Sequence, residues 1–164
     1  MSERALTAEL VFHRLEALRE VLRLTDYLAG FRRAPAAAPL ERAQLEGIDV
    51  VVLYRPTGPA EMALLELAAF RRWPPRLDEQ PIFYPVTNER YAREIAEAWN
   101  VADDGVAFVT RFHVRAALAT RYAVETVGAA HHTELWVPAE DLDAFNEAIV
   151  GPIEVLARFE RQRL

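Results

Sequence analysis

The run His131-His132-Thr133-Glu134-Leu135-Trp136-Val137 brings two imidazoles, a carboxylate and an indole into seven positions. In an extended strand successive side chains point to opposite faces. His132, Glu134 and Trp136 then share one face, and Leu135 and Val137 fit a core on the other. The first face could line a cleft with a carboxylate, an imidazole and a flat aromatic wall. It also fits a solvated strand face carrying a local ion pair. The same alternation separates His131 from His132, so the two are not expected to share an ion. No helical HExxH spacing is present either, and no metal site is expected.

Other candidates sit at the ends of short apolar runs. Arg55 closes the run Ile48 to Tyr54, directly before Pro56, where a guanidinium can grip a phosphate or carboxylate in two-pronged fashion or pair with a nearby acid. Tyr84 and Thr87 follow a second short run; the tyrosine can stack on a ring or complete the core. Arg111 and His113 share one face of the run Val106 to Arg115, able to bind an anion or simply to be solvated.

Composition removes several chemistries. The chain of 164 residues has no cysteine, no lysine and a single serine, Ser2. Thiolate catalysis, disulfides, CxxC redox pairs, a Walker A lysine and a Schiff-base lysine are excluded, and a serine nucleophile nearly so. A formal net charge of -6 argues against nucleic acid as a partner. No GxGxxG follows a strand pattern, so a Rossmann site is not expected. No stretch has the length and apolarity of a membrane span, and the charged N-terminus lacks the apolar core of a signal peptide. The cytoplasm is the simplest expected location. Scarce Lys, Ser and Cys beside abundant Ala, Arg and Pro suggest a GC-rich genome.

The elements that must position these residues follow from periodicity. Residues 3–29 carry Val11, Leu15, Leu18, Leu22, Thr25 and Ala29 at steps of four and three, a narrow helical seam ending near Gly30. This helix either packs on its own domain or pairs with a second copy. The Ala/Pro stretch around Pro35 and Pro39 reads as a linker, with a short helical turn over Leu40 to Glu46. The expected division is therefore 1–46, helical arm and linker, and 47–164, the folded domain. Within the latter the pattern predicts a buried strand over Ile48 to Tyr54 and a helix from Pro59 to about Phe70. A strand over Pro81 to Val86 precedes a helix capped at Thr87 or Asn88 and running through Tyr91, Ile95 and Trp99. Strands follow at Val106 to Arg115, Tyr122 to Val127 and His132 to Val137, then a helix over Glu140 to Ile149 and a strand over Ile153 to Phe159. Strands dominate the second half, which favours an α+β domain over a doubly wound sheet.

Three segments in this order resemble the ADP-ribosyltransferase superfamily. They are Val51-Val52-Leu53-Tyr54-Arg55, then Phe83-Tyr84-Pro85-Val86-Thr87-Asn88-Glu89-Arg90-Tyr91-Ala92, then Glu134-Leu135-Trp136-Val137-Pro138-Ala139-Glu140. From about Leu53 to Phe159 the chain is also similar to small bacterial proteins labelled "ADP-ribosylation/crystallin J1", through Glu134 to Leu142 and the tail Ile149-Val150-Gly151-Pro152-Ile153-Glu154-Val155. The resemblance implies an ADP-ribosyltransferase-like fold of mixed and antiparallel sheets with flanking helices. It implies NAD or a related nucleotide as substrate and a possible protein acceptor. Glu134 would stabilise a cationic ribose as nicotinamide leaves, as carboxylates do in glycoside cleavage. Arg55 would hold phosphate or ribose, and Tyr84 and Trp136 would flank the nicotinamide; Thr87, Arg111 and His132 are the remaining candidate contacts. Pro85-Val86-Thr87 stands where one transferase class carries Ser-Thr-Ser. His132 stands where arginine-modifying classes often carry an acid, which speaks against arginine modification. The alternative is a non-catalytic ligand- or protein-binding module that self-associates through residues 3–29.

Overall fold

The computed structural model describes residues 39–76, 78 and 81–162. The expected helix over 3–29 lies outside the described residues, as does the linker up to residue 38.

The spine is strand β2, Ile48–Thr57. Its apolar run is continuous because both faces are covered. Val51 and Leu53 enter one hydrophobic core, while Val52 and Tyr54 enter a second. Strand β1, Arg42–Leu45, pairs antiparallel with β2 through Leu45↔Ile48 to Arg42↔Val51. A helical turn was expected there. Glu46 and Gly47 both adopt positive φ, 51° and 78°, and such a two-residue turn returns the chain as a hairpin. The change from linker to domain expected at residue 46 thus falls inside this hairpin.

Helix α1, Pro59–Leu67, starts with proline in its first turn, where the missing N–H costs nothing, and stops where Ala69 and Phe70 turn to positive φ. Strand β3, Ile82–Phe83, is followed by helix α2, Glu89–Ile95. Asn88 caps α2 by accepting the Tyr91 N–H at 2.8 Å. The helix widens into a π turn, Ala96–Asn100, continues as α3, Val101–Asp104, and ends at Gly105 with φ 78°. Strand β4, Val106–Arg115, pairs with β2 from Val50 to Thr57 and with β8, Glu154–Glu160. Between them lie helix α4, Ala116–Ala119, and strands β5, Val124–Thr126, β6, Thr133–Leu135, and β7, Val137–Pro138. A 3-10 turn, Ala139–Asp141, leads into helix α5, Leu142–Glu147.

The result is an α+β fold. Its main antiparallel sheet has the order β1-β2-β4-β8, with β3-β7 and β5-β6 as smaller ladders. Val86 joins them, bridging Tyr54 on one side and Glu134 on the other. The second edge of β2 is therefore shared: β1 covers its first half, and the segment through Val86 covers its second. The larger core gathers Leu53, Leu65, Trp73, Phe83, Phe112 and Phe145. The smaller one packs Val52, Tyr54, Val86 and Val109 beneath Ala92 and Ala96 of the α2 helix and its π turn. Among the described residues, no helix is long and apolar enough to cross a membrane.

Candidate functional site

The Val86 bridge decides what meets Glu134. Phe83 pairs with Val137 and Val86 with Glu134, so residues 82–87 run antiparallel to 133–138 in one register. Phe83, Leu135 and Val137 belong to the larger core and Val86 to the smaller. Alternation then places Tyr84, Glu134 and Trp136 on the side of the smaller core. The three do meet. The Trp136 indole N–H donates to Glu134 Oε1 at 2.9 Å, and the Tyr84 ring stands edge-on to Trp136 with centroids 6.1 Å apart. Glu134 is only 1% exposed, so its carboxylate lies beneath the indole and not in an open cleft.

Arg55 lies on the opposite side of the ribbon. It follows Val51 and Leu53 on the larger-core face of β2, and its guanidinium sits 4.9 Å from the Phe83 ring and 5.7 Å from Trp73. Its Nε donates to Glu61 Oε1 at 2.7 Å, and one terminal nitrogen reaches the Tyr84 carbonyl at 3.5 Å. Glu61 comes from the first turn of α1. Arg55 therefore answers an internal acid and backs the ribbon that carries Tyr84, with the backbone between it and Glu134.

Thr87 is buried, and its N–H donates to the Thr133 carbonyl at 3.0 Å while the two hydroxyls share a proton contact. It extends the ladder that holds Glu134. Arg111 pairs with Glu154 across β4 and β8, Nε to Oε2 at 2.8 Å, and that hydrogen bond raises its pKa further. In register it faces Tyr54, three strand spacings from Glu134, roughly 14 Å at about 4.8 Å per strand. Burial and the bond to Glu41 push the Tyr54 phenol well above its ordinary range. Of the seven expected site residues, the structure thus gathers Glu134, Tyr84 and Trp136, with Thr87 in support. Arg55 and Arg111 stand apart.

His132 departs from expectation in a different way. Strand β6 begins only at Thr133, so the alternation invoked for His131 and His132 does not apply. The chain makes a tight turn there: the His132 N–H donates to the Ala129 carbonyl and the Thr133 N–H to the His131 carbonyl, both at 2.9 Å. This folds the two imidazoles onto one side, with ring centroids 4.4 Å apart. Both reach Glu94 at the end of α2. His131 Nε2 lies 2.8 Å from each Glu94 oxygen, and His132 Nε2 lies 2.8 Å from Oε2. These bonds draw the Glu94 carboxyl down to about 2. The expectation that the histidines cannot converge is therefore corrected, because a turn replaces the strand. Glu94 was not singled out in the sequence. Its signal is a spacing of three from Tyr91, itself three from the cap Asn88, which places all three along one helix face.

Compared with protein-family models, with curated proteins and with solved structures, the chain finds no match.

Proposed function

We propose that the protein cleaves NAD at its nicotinamide–ribose bond, transferring ADP-ribose to an acceptor or to water, with Glu134 as the catalytic carboxylate, on a fold of the ADP-ribosyltransferase type. The observation that carries this reading is the Glu134–Trp136–Tyr84 cluster: a buried carboxylate oriented by an indole N–H, beside a second ring. In the reaction the C1′–N bond breaks and its electron pair leaves with nicotinamide as a neutral base. The positive charge developing on the ribose is stabilised by Glu134, whose low-polarity surroundings strengthen the attraction. Water or an acceptor hydroxyl then adds to C1′ and releases its proton to solvent. Trp136 must rotate off Oε1 to admit the sugar, so it acts as the cover of the site.

The test incubates the pure protein with NAD and follows free nicotinamide. Glu134→Gln keeps the shape and loses the charge; release should fall by about 100-fold or more, the scale for removing an oriented charge-stabilising group. Circular dichroism should not change. An undiminished rate in that variant sinks the reading.

The second reading is a non-catalytic binding module, self-associating through residues 3–29. The sealed Arg55–Glu61 pair favours it, since the arginine that the enzyme reading needs for phosphate is engaged inside the fold. It predicts a full-length chain whose sedimentation changes when Leu15 and Leu22 are replaced by Asp, and no nicotinamide release from NAD.

A further inference from the structure

The turn before β6 holds a constellation that the cleavage reading does not use. Glu94, His131 and His132 each offer one donor atom, and all these atoms lie within 4.8 Å of one another. We propose that Glu94, His131 and His132 form a binding site for a divalent transition-metal ion, with Zn²⁺ the best match. Two imidazoles and one carboxylate are a borderline-soft donor set, suited to zinc and its neighbours and poorly suited to magnesium or calcium. In a tetrahedral zinc site with bonds of about 2.0–2.1 Å the donors lie roughly 3.3 Å apart. The His–Glu separations of 2.8 Å are within about 0.5 Å of that. Binding must open the His–Glu contacts by about that much.

The surroundings hold these donors in place. Asn88 Nδ2 donates to the His131 carbonyl at 2.7 Å, which ties the histidine turn to the start of the same helix that carries Glu94. Tyr91 stacks on the His132 ring with centroids 4.6 Å apart and planes 23° from parallel. The site is open: the three side chains are 24%, 30% and 42% exposed. Three protein donors with solvent at hand leave a fourth position for water or a ligand, the pattern of zinc sites that do chemistry.

Two groups oppose the ion and sharpen the test. Arg90 also reaches Glu94 Oε1, at 3.2 Å, but is largely exposed and can swing away. The Ala129 N–H points at His132 Nδ1 at 3.1 Å. That contact fixes the histidine proton on Nε2, where it is donated to Glu94. A metal at Nε2 demands the other tautomer, with the proton on Nδ1, so binding must turn the Ala129 amide away. Ala129 itself is exposed, in the bend beside Gly128.

The deciding experiment titrates Zn²⁺ into the chelator-treated full chain by calorimetry, with Co²⁺ absorption as a second probe. One equivalent should bind, with Co²⁺ showing the visible bands of a low-coordinate nitrogen and oxygen site, and the Ala129 amide resonance should shift. Glu94→Gln, His131→Ala and His132→Ala should each weaken binding by at least about tenfold, while their metal-free melting stays close to that of the parent. Absence of binding in the parent overturns the proposal. So does binding that survives in all three variants, because the ion is then held elsewhere. The cleavage step rests on Glu134 beneath Trp136, and metal binding is read by calorimetry and Co²⁺ absorption without NAD, so failure here leaves that reading standing, and the reverse.

Discussion

Two ionic clusters on this chain use similar groups to opposite ends. The Arg55–Glu61 pair is sealed, with side chains 5% and 2% exposed, and two aromatic rings close over the guanidinium. The Glu94–His131–His132 cluster stands open, its members a quarter to two-fifths exposed. A sealed pair survives because each charge answers the other where water cannot. It cannot meet a ligand unless the core opens. An open cluster exchanges partners freely, and little of the fold depends on it. A strand-end arginine draws the eye in the sequence, yet of these two clusters the one open to solvent is at the surface turn.

The largest expected effect tests the sealed pair. Glu61→Gln removes the buried negative charge that Arg55 Nε meets, and should lower unfolding free energy by about 3–5 kcal/mol in a denaturant titration. The double variant Arg55→Met, Glu61→Leu removes both charges at similar volume and should recover most of that loss. A single-variant loss below about 1 kcal/mol would mean that the pair is not sealed, and the contrast with the open cluster would fail.

A neutral counterpart should cost less. Asn146 is buried, and its side-chain amide copies a strand neighbour for Trp73: Oδ1 accepts the Trp73 N–H at 2.8 Å and Nδ2 donates to the Trp73 carbonyl at 3.0 Å. Asn146→Ala deprives two backbone groups of partners and should destabilise by about 2 kcal/mol, from the typical 1–3 kcal/mol of an orphaned buried group. If that loss equals the loss in Glu61→Gln, charge is not what makes the sealed pair costly. Glu94→Gln should come below both, with a melting midpoint near that of the parent in metal-free buffer, as exposed ion pairs contribute little.

The same contrast explains what the sequence disclosed. The β2 run, the capped helix after Asn88, the long β4 strand and the α+β class follow from local periodicity and capping, which act within a few residues. So did the meeting of Glu134 with Trp136, since strand alternation puts them on one face. The β1 hairpin escaped because four residues of mixed polarity carry no period, and its signal is confined to Glu46-Gly47. The burial of Arg55 escaped for another reason. Its partner Glu61 reads as an ordinary first-turn acid, and only the packing of α1 against β2 brings it within 2.7 Å. The convergence of Glu94 with the histidines depends on a turn of single-residue scale at His132. One residue more of strand would have separated the rings.

A third pair lies between sealed and open, and it sets the smallest prediction. The Tyr122 hydroxyl donates to Asp141 Oδ2 at 2.9 Å, with its ring edge-on to Phe145 at 6.2 Å. Burial, and then the bond to Asp141, raise its pKa from 10.0 to about 12. A raised pKa means that the folded state holds its proton longer than the unfolded state. The contribution is complete below pH 10 and is lost as the pH rises towards about 12. Tyr54 is shifted in the same direction, so the parent's stability should fall over this window with two phenols contributing to the slope. Tyr122→Phe should be less stable than the parent at neutral pH and should lose part of the alkaline slope, so that the two stability curves converge near pH 12. Parallel curves across that window would place Tyr122 with the open cluster, as a group whose environment differs little from water.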